Sequence, residues 1–497
     1  MPLFSPRRYQ KAWLPLGREP LPIRVVAAVE RAVKGALFGC RMCGNCILQE
    51  TFLACPMTCP KGLRNGPCGE SGEEHCVVNE TRPCTWYIIY QRAERAGQLD
   101  KLLEINAPVD GDRAGHESWL SLLRFWLQRK QGPNLLESLT NRKKFIKEYD
   151  RLLYDLRQPD WWRGDAIYHP PLYEKPVSAL EVNLRSQPFI TTAEIEAPLD
   201  ISPEEISVKA KTLKDFVISA NFADNAFCTS RMSSVAGCKI CEDSSGLETV
   251  MQIQTRDRSR ALIESDVLGA AGLGIRNILC LGGNYFDKGP TPISKPDQFD
   301  LDAVQLLWML RRMRDEGKLI DGRVLEQRPQ YFLGAASNPF AAPAKYTAIR
   351  VEKKVNAGAQ FIQTQMIFDY GHFTEWLEAL DRQNLLNKVF ILASVMPIRT
   401  AADIKPMIGA NGHSIPEAVI KRMDAAFEKD RLADNSHHQV AEGFAITIET
   451  IEKLKLTPGV SGIHLMSGGQ EGLVPRIIEA AGLPKPGIRS FGKSMSQ

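Results

Sequence analysis

The stretch ETVMQIQTRDRSRALIESDVLGAAGLGIRNILCLGGN, residues 248–284, decides the fold. It opens on a short apolar and β-branched run and closes on a second, RNILCL, that ends in two glycines. Between them RALIESDVLGAAG places its apolar residues at helical spacing. Strand, helix and strand in so short a span form a βαβ unit, and that connection makes the two strands parallel. Their near-continuous apolar character means that both faces are buried.

The same alternation extends outward in both directions. Strands are predicted at FITTAEIEAP (189–198), FVISANFAD (216–224), ETVMQIQTRD (248–257), RNILCLGGN (276–284), QYFLGAASNP (330–339), AQFIQTQMIF (359–368), KVFILASVMP (388–397) and VSGIHLMSGG (460–469). Helical segments such as PEEISVKAKTLKD, LDAVQLLWMLRRMRDEG and HFTEWLEALDRQN separate them. Eight strands in strict alternation with helices favour an α/β fold of the (β/α)8 TIM barrel type over an open doubly wound sheet.

A barrel carries its chemistry at the C-terminal ends of its strands, and polar residues gather there. Glu194 and Glu196 end the first strand, Asp224-Asn225 the second, Thr255-Arg256-Asp257 the third, Gly282-Gly283-Asn284 the fourth, Ser337-Asn338 the fifth and Thr364-Gln365 the sixth. A carboxylate at a barrel rim is costly unless used or paired. Each residue alone could equally be a helix cap, and Asp257 beside Arg256 and Arg258 could be a structural ion pair. No G-x-G-x-x-G follows a strand and no G-x-x-x-x-G-K-[ST] occurs, so a nucleotide cofactor would need a barrel-type site.

Ahead of the barrel the cysteines dominate. Eight of the twelve, Cys40, Cys43, Cys46, Cys55, Cys59, Cys68, Cys76 and Cys84, fall in one short stretch that opens as C-x2-C-x2-C. Three sulfurs round one loop present thiolates to a single centre, with a fourth ligand from elsewhere. A disulfide framework would need an oxidising compartment, and the N-terminus has no signal-peptide pattern, so metal is preferred and a cytoplasmic location expected. The donors suit a [4Fe-4S] cluster, with zinc as the alternative. The pair Cys238/Cys241 sits in a helical pattern and reads as core or surface thiols.

The chain has 497 residues, 44% of them hydrophobic and 24% charged, with a formal net charge of +4. That charge argues against nucleic acid as a partner, and no apolar run is long enough for a membrane span. The whole excess lies in residues 1–100, a mildly basic face that could meet an acidic partner such as a ferredoxin or another electron carrier. We divide the chain into a cysteine-rich module (1–99), a helical and irregular connector (100–185) and the barrel (186–497). LPIRVVAAVERAVKGAL leads into the first cysteine as an amphipathic helix, and TWYIIYQRAERAGQLDKLL leaves the last.

The strings TAEIEAP, MQIQTRDRSR…GAAGLGIRNILCLGGN, ASNPF and KKVNAGAQFIQTQMIFD resemble methylenetetrahydrofolate reductase, a flavin-dependent TIM-barrel family that interconverts 5,10-methylene- and 5-methyltetrahydrofolate. GCRMCGNC…CPMTCPKGLRNGPCGESG…CTW resembles the cysteine-rich partner of its iron–sulfur variety. The resemblance implies that Glu194 is the catalytic acid, that Gln365 hydrogen-bonds the pterin and that Lys354 contacts the flavin, FMN or FAD. It also implies that Thr255, Asp257, Gly283 and Asn338 lie on flavin-binding loops and that Asn284 borders the reacting ring. Two departures stand out: Asn284 replaces the family's aspartate beside the flavin, and Gln252 its histidine. Loss of that carboxylate should raise the flavin's potential, which would suit methyl-to-methylene oxidation. The chain is expected to work as an oligomer or in a complex. The competing readings are a related flavoprotein acting on another one-carbon carrier or running oxidatively, and a non-catalytic scaffold with structural zinc.

Overall fold

The computed structural model describes residues 20–72, 75–120, 175–284, 299–341, 343–409, 412–433 and 437–486. Most of the expected connector, including KKFIKEYDRLLYDLR, lies outside them. The chain forms two compact units: Met1–Pro67, Glu73–Ile167 and Ile320–Arg323 in one, and Cys68–Gly72, Tyr168–Leu319 and Val324–Gln497 in the other.

The first unit contains helices α1 (Leu21–Phe38) and α2 (Thr85–Arg95). α1 ends where Gly39 takes a left-handed conformation with φ 64°. α2 buries Trp86, Tyr87, Ile89 and Tyr90, and the Trp86 indole donates to the Leu63 carbonyl at 3.0 Å. Loop backbone without a ladder must find side-chain partners. Arg64 supplies them by donating to the carbonyls of Ala107 (2.8 Å) and Asn45 (3.0 Å). Asn65 and Asn106 pair similarly: the Asn106 backbone N–H donates to Asn65 Oδ1 at 2.7 Å, and Asn65 Nδ2 to the Asn106 carbonyl at 2.9 Å.

The second unit is a closed barrel of eight parallel strands in sequential order. They are β1 (Ile190–Ile195), β2 (Ser219–Phe222), β3 (Glu248–Gln254), β4 (Asn277–Leu281), β5 (Phe332–Ser337), β6 (Phe361–Met366), β7 (Phe390–Val395) and β8 (Gly462–Leu465). All eight predicted strands are present, each shorter than its apolar run because residues at one or both ends turn into loops. The helices of this unit are α3 (Ala179–Ser186), α4 (Pro203–Leu213), α5 (Ser234–Ser245), α6 (Arg260–Gly272), α7 (Ala303–Glu316), α8 (Ala344–Asn356), α9 (Tyr370–Arg382), α10 (Ala401–Ile404), α11 (Glu417–Ala433), α12 (His437–Lys455) and α13 (Leu473–Ala480).

Side chains alternate along each strand, so the interior fills in levels. At the N-terminal end Ile190, Val250, Leu279, Phe332, Phe361 and Leu392 form one apolar cluster with Leu180 and Leu184 of α3. α3 therefore closes the bottom of the barrel, although it lies ahead of Ser186, where the strand pattern begins. Glu248 fixes it by accepting from the N–H groups of Ala179 and Leu180, both at 2.8 Å. Those are orphan donors of a helix N-terminus, where a carboxylate is favoured. Further up, Thr192 Oγ1 bonds His464 Nδ1 at 2.9 Å and Asn221 Nδ2 donates to Gln363 Oε1 at 2.8 Å. Burial lowers the His464 pKa to about 3, so that imidazole is neutral. Cys238 and Cys241 are buried on α5, whose Gly237 packs against the Phe222 ring, and they are core thiols there.

Candidate active site at the barrel mouth

Glu194 is two residues beyond Thr192 on β1, which carries its side chain past the polar middle level to the C-terminal mouth. Gln252 Nε2, from β3, donates to its Oε2 at 3.3 Å. Burial pushes the Glu194 pKa up to about 7; the Gln252 bond opposes this, and the carboxylates of Glu196 and Glu471 add to it. Glu196, the neighbouring carboxylate, is instead paired with Arg231 at 2.5 Å. One strand end thus holds one carboxylate neutralised by a cation and one that keeps its proton near neutrality.

Gln365 lies where the β6–β7 register shifts, between Gln363 and Met366. Such an irregularity re-aims a side chain at a barrel rim. Gln365 is half-buried and its carbonyl accepts from Thr364 Oγ1 at 2.9 Å. Thr255 is buried and donates Oγ1–H to the Gly282 carbonyl at 3.1 Å, tying the loops after β3 and β4 together. Asp257 has φ 62° and pairs with Arg256 at 2.6 Å, with its own side chain more than half exposed. That is the structural ion pair that the sequence left open. Lys354 is 3% exposed and donates Nζ–H to the Ala336 carbonyl. Burial and the nearby Arg350 guanidinium hold its pKa well below the ordinary lysine range.

Whether this mouth suits a flavin can be tested on its polar atoms. Gly283 has φ 87°, and a Cβ there would meet Gln254 Oε1 at 2.4 Å. That oxygen is buried without a hydrogen-bond donor among the described residues. An acceptor left open beside bare backbone is what a ligand N–H completes, and buried polar groups seldom go unpaired. The residues fit a ligand that offers a hydrogen-bond donor at this point.

A residue not anticipated from the sequence joins the mouth. The segment Cys68–Gly72 packs as part of the barrel unit. Asn284 Nδ2 donates to Glu70 Oε1 at 2.6 Å, and Asn338 Nδ2 donates to the carbonyls of Gly69 and Gly412, both at 2.8 Å. Arg350 Nη2 donates to the Cys68 carbonyl at 2.8 Å. Glu70 thus stands a carboxylate beside Asn284.

In the first unit Cys40, Cys43, Cys46 and Cys55 line one cavity together with Lys34, Arg64 and His116. Lys34 Nζ lies 3.5 Å from Cys46 Sγ. Burial raises the Cys40 thiol to about 11 and also raises Cys43 and Cys55, and the sulfurs reinforce one another. These four thiols and the cations Lys34 and Arg64 line that one space. Among the described residues no group of three or more His, Cys, Asp or Glu is arranged to hold a single ion. Cys59, Cys76 and Cys84 are buried elsewhere in this unit, and Cys68, in the barrel unit, places its Sγ 3.6 Å from Ser71 Oγ.

Among the described residues no helix is long and apolar enough to cross a membrane. The family model described as methylenetetrahydrofolate reductase matches residues 184–482. A second, described as methylene-tetrahydrofolate reductase C terminal, matches residues 23–112, which here precede the barrel. The chain is 24% identical over 266 residues to methylenetetrahydrofolate reductase 2 of Schizosaccharomyces pombe, covering 50% of this chain and 38% of that protein. It is 24% identical over 242 residues to the Saccharomyces cerevisiae protein of the same name, covering 47% and 36%. The chain thus spans little more than a third of the length of these curated relatives. A solved structure described as an uncharacterized protein from Clostridium thermocellum that binds two copies of 5-methyl-5,6,7,8-tetrahydrofolic acid superposes with a TM-score of 0.39 at 14% identity, covering 61% of this chain and 97% of that one.

Proposed function

The chain belongs to the methylenetetrahydrofolate reductase family, and from that membership we propose that it interconverts 5,10-methylene- and 5-methyltetrahydrofolate through a flavin bound at the barrel mouth. The observation that carries the reading is Glu194: a carboxyl at a strand's C-terminal end, held near pKa 7 and addressed by Gln252. A scaffold has no use for such a group, whereas a general acid works best when its pKa lies near the operating pH.

The flavin, when bound, supplies hydride to the folate carbon or takes it back. Glu194 donates its proton to the folate nitrogen, so that the methylene bridge opens to an electrophilic iminium. Gln252 keeps the carboxyl oriented across the mouth, and Gln365 hydrogen-bonds the pterin. Gln254 Oε1, buried beside Gly283, would accept a hydrogen bond from the flavin ring. Thr255 holds the loops after β3 and β4 at fixed spacing, and Asn284 and Asn338 border the same mouth. Lys354 is assigned to the flavin's tail, while Asp257, paired and exposed, shapes its loop.

Cys40, Cys43, Cys46 and Cys55 are assigned to one metal centre, an iron–sulfur cluster that receives electrons from an acidic protein carrier such as a ferredoxin. Their common cavity and the cations Lys34 and Arg64 support this, because a four-thiolate centre carries net negative charge. Cys59, Cys76 and Cys84, buried in the same unit, and Cys68, in the barrel unit, are not assigned to that centre.

The test is the visible spectrum of anaerobically purified protein with iron and zinc analysis, followed by rapid mixing with methylenetetrahydrofolate. Flavin bands over a broad iron–sulfur shoulder, bleached by a reductant and restored by the folate, are expected. Protein that takes up no flavin would overturn the reading. Zinc without iron would overturn the electron relay and leave the folate reaction standing.

A further inference from the structure

Glu70 belongs to no strand or helix of the barrel. In sequence it lies between Cys59 and Cys76, within N-G-P-C-G-E-S-G. The segment around it is nonetheless seated on the barrel by side chains from three separate places. Arg350 of α8 holds the Cys68 carbonyl, Asn338 after β5 holds the Gly69 carbonyl, and Asn284 after β4 holds the Glu70 carboxylate. Gly69 is committed to this seat: it has φ 90°, and a Cβ there would meet Arg350 Nη1 at 2.3 Å. Gly412, with φ 82°, would press a Cβ on Asn338 Nδ2 at 2.8 Å and on the Gly69 carbonyl at 3.4 Å.

Two of these anchors use backbone carbonyls, so they would hold the strap whatever side chain stood at position 70. The carboxylate adds a half-buried negative charge at the barrel mouth, which also acts on His413. It also fixes the Asn284 amide. A carboxylate only accepts hydrogen bonds, so the Asn284 group facing it is the NH2, and Oδ1 is what Asn284 retains for a ligand.

We propose that Glu70 is a positioning residue of the cofactor mouth: through Asn284 it sets which amide atom meets the flavin, and its charge lowers the flavin's reduction potential. This rests on the flavin reading above. A fixed negative charge near the ring disfavours the electron-rich reduced form relative to the oxidised one.

The experiment uses the full-length protein loaded with flavin, its potential measured by equilibration with reference dyes and its oxidised-flavin affinity by fluorescence. Glu70→Gln keeps an acceptor for Asn284 and removes the charge. It should raise the ratio of reduced- to oxidised-flavin affinity about tenfold, which is about 30 mV for a two-electron couple, and leave oxidised-flavin affinity within about twofold. Adding Asn284→Asp to Glu70→Gln moves the carboxylate across the same hydrogen bond and should bring the potential back toward the parent. An unchanged potential in Glu70→Gln overturns the proposal. So does an equal shift in the single and double variants, which would make position 70 matter through strap geometry and not through charge. Parent protein that binds no flavin would overturn the functional reading itself, an outcome separable from either of these.

Discussion

Gln252 on β3 donates to Glu194 on β1 across 3.3 Å, bridging two strands that are not neighbours in the barrel. The contact explains how a carboxyl can sit at the mouth with a high proton affinity and still point one way. Glu194→Gln keeps shape and hydrogen bonding and removes the transferable proton. It should spare reduction of the flavin by its electron donor and slow the folate half-reaction by roughly 10²–10⁴-fold, the usual worth of a general acid. Rapid-mixing measurement of the two half-reactions checks it, and equal loss in both would make Glu194 structural.

The same residue predicts a pH dependence of stability. Its pKa rises from 4.5 in the unfolded chain to about 7 in the folded one. Between those values the native state binds more protons than the unfolded state, so stability falls as pH rises through that window. The group's contribution declines by up to roughly 3 kcal/mol, reduced by whatever water screens the open mouth. Glu242, also held near 7 by burial, adds a slope of the same sign. Denaturant unfolding from pH 5 to 8 should show Glu194→Gln losing less stability than the parent; parallel curves would refute the assignment.

The barrel was legible because its strands are nearly unbroken apolar runs, whereas Glu194 and Glu196 both ended the first strand and only the family resemblance singled out Glu194. What was not legible is long-range. α3 is only eight residues long, too short for a firm periodicity, and its role comes from Glu248, far along the chain, receiving its first N–H groups. Nothing local to Asn284 announces Glu70, and C-x2-C-x2-C left the fourth thiol open among five cysteines. For Asp257 the sequence left a structural ion pair open, and its partner is the adjacent Arg256.

Packing gives an independent prediction at Gly334 on β5. A Cβ there would lie 2.2 Å from the Phe361 ring, which is stacked on Phe332 with centroids 5.0 Å apart. That ring has nowhere to move, so Gly334→Ala should destabilise the barrel by about 1–3 kcal/mol. Chemical unfolding measures it, and a change under about 0.5 kcal/mol would show that the aromatic layer yields.

For the cysteine cavity, Cys43→Ser and Cys55→Ser should each remove the same fraction of bound iron, because both thiols face one space. Cys238→Ser, in the barrel wall, should leave metal content unchanged. Metal analysis with visible absorbance decides. Loss of iron with Cys43→Ser but not with Cys55→Ser would take Cys55 out of the ligand set.

Lys354 gives the last prediction, in which stability and binding move in opposite directions. Its ammonium is buried, donates to the Ala336 carbonyl and is repelled by Arg350; Asp302 attracts it only in part. A lysine whose folded pKa is depressed weakens the fold at neutral pH, since the unfolded chain binds the proton better, and that loss fades as pH rises toward 10.5. An anionic cofactor tail would offset it. Lys354→Met keeps the length and removes the charge, so the flavin-free protein should melt at a higher temperature than the parent. The same change should weaken flavin binding by about 1.5–3 kcal/mol, the range for a hydrogen bond to a charged group. Thermal unfolding with and without added flavin reads both effects: the parent gains more from flavin than the variant does. If the variant melts higher and its gain from flavin is undiminished, Lys354 is only a strained wall residue, and the tail of the cofactor must be held elsewhere.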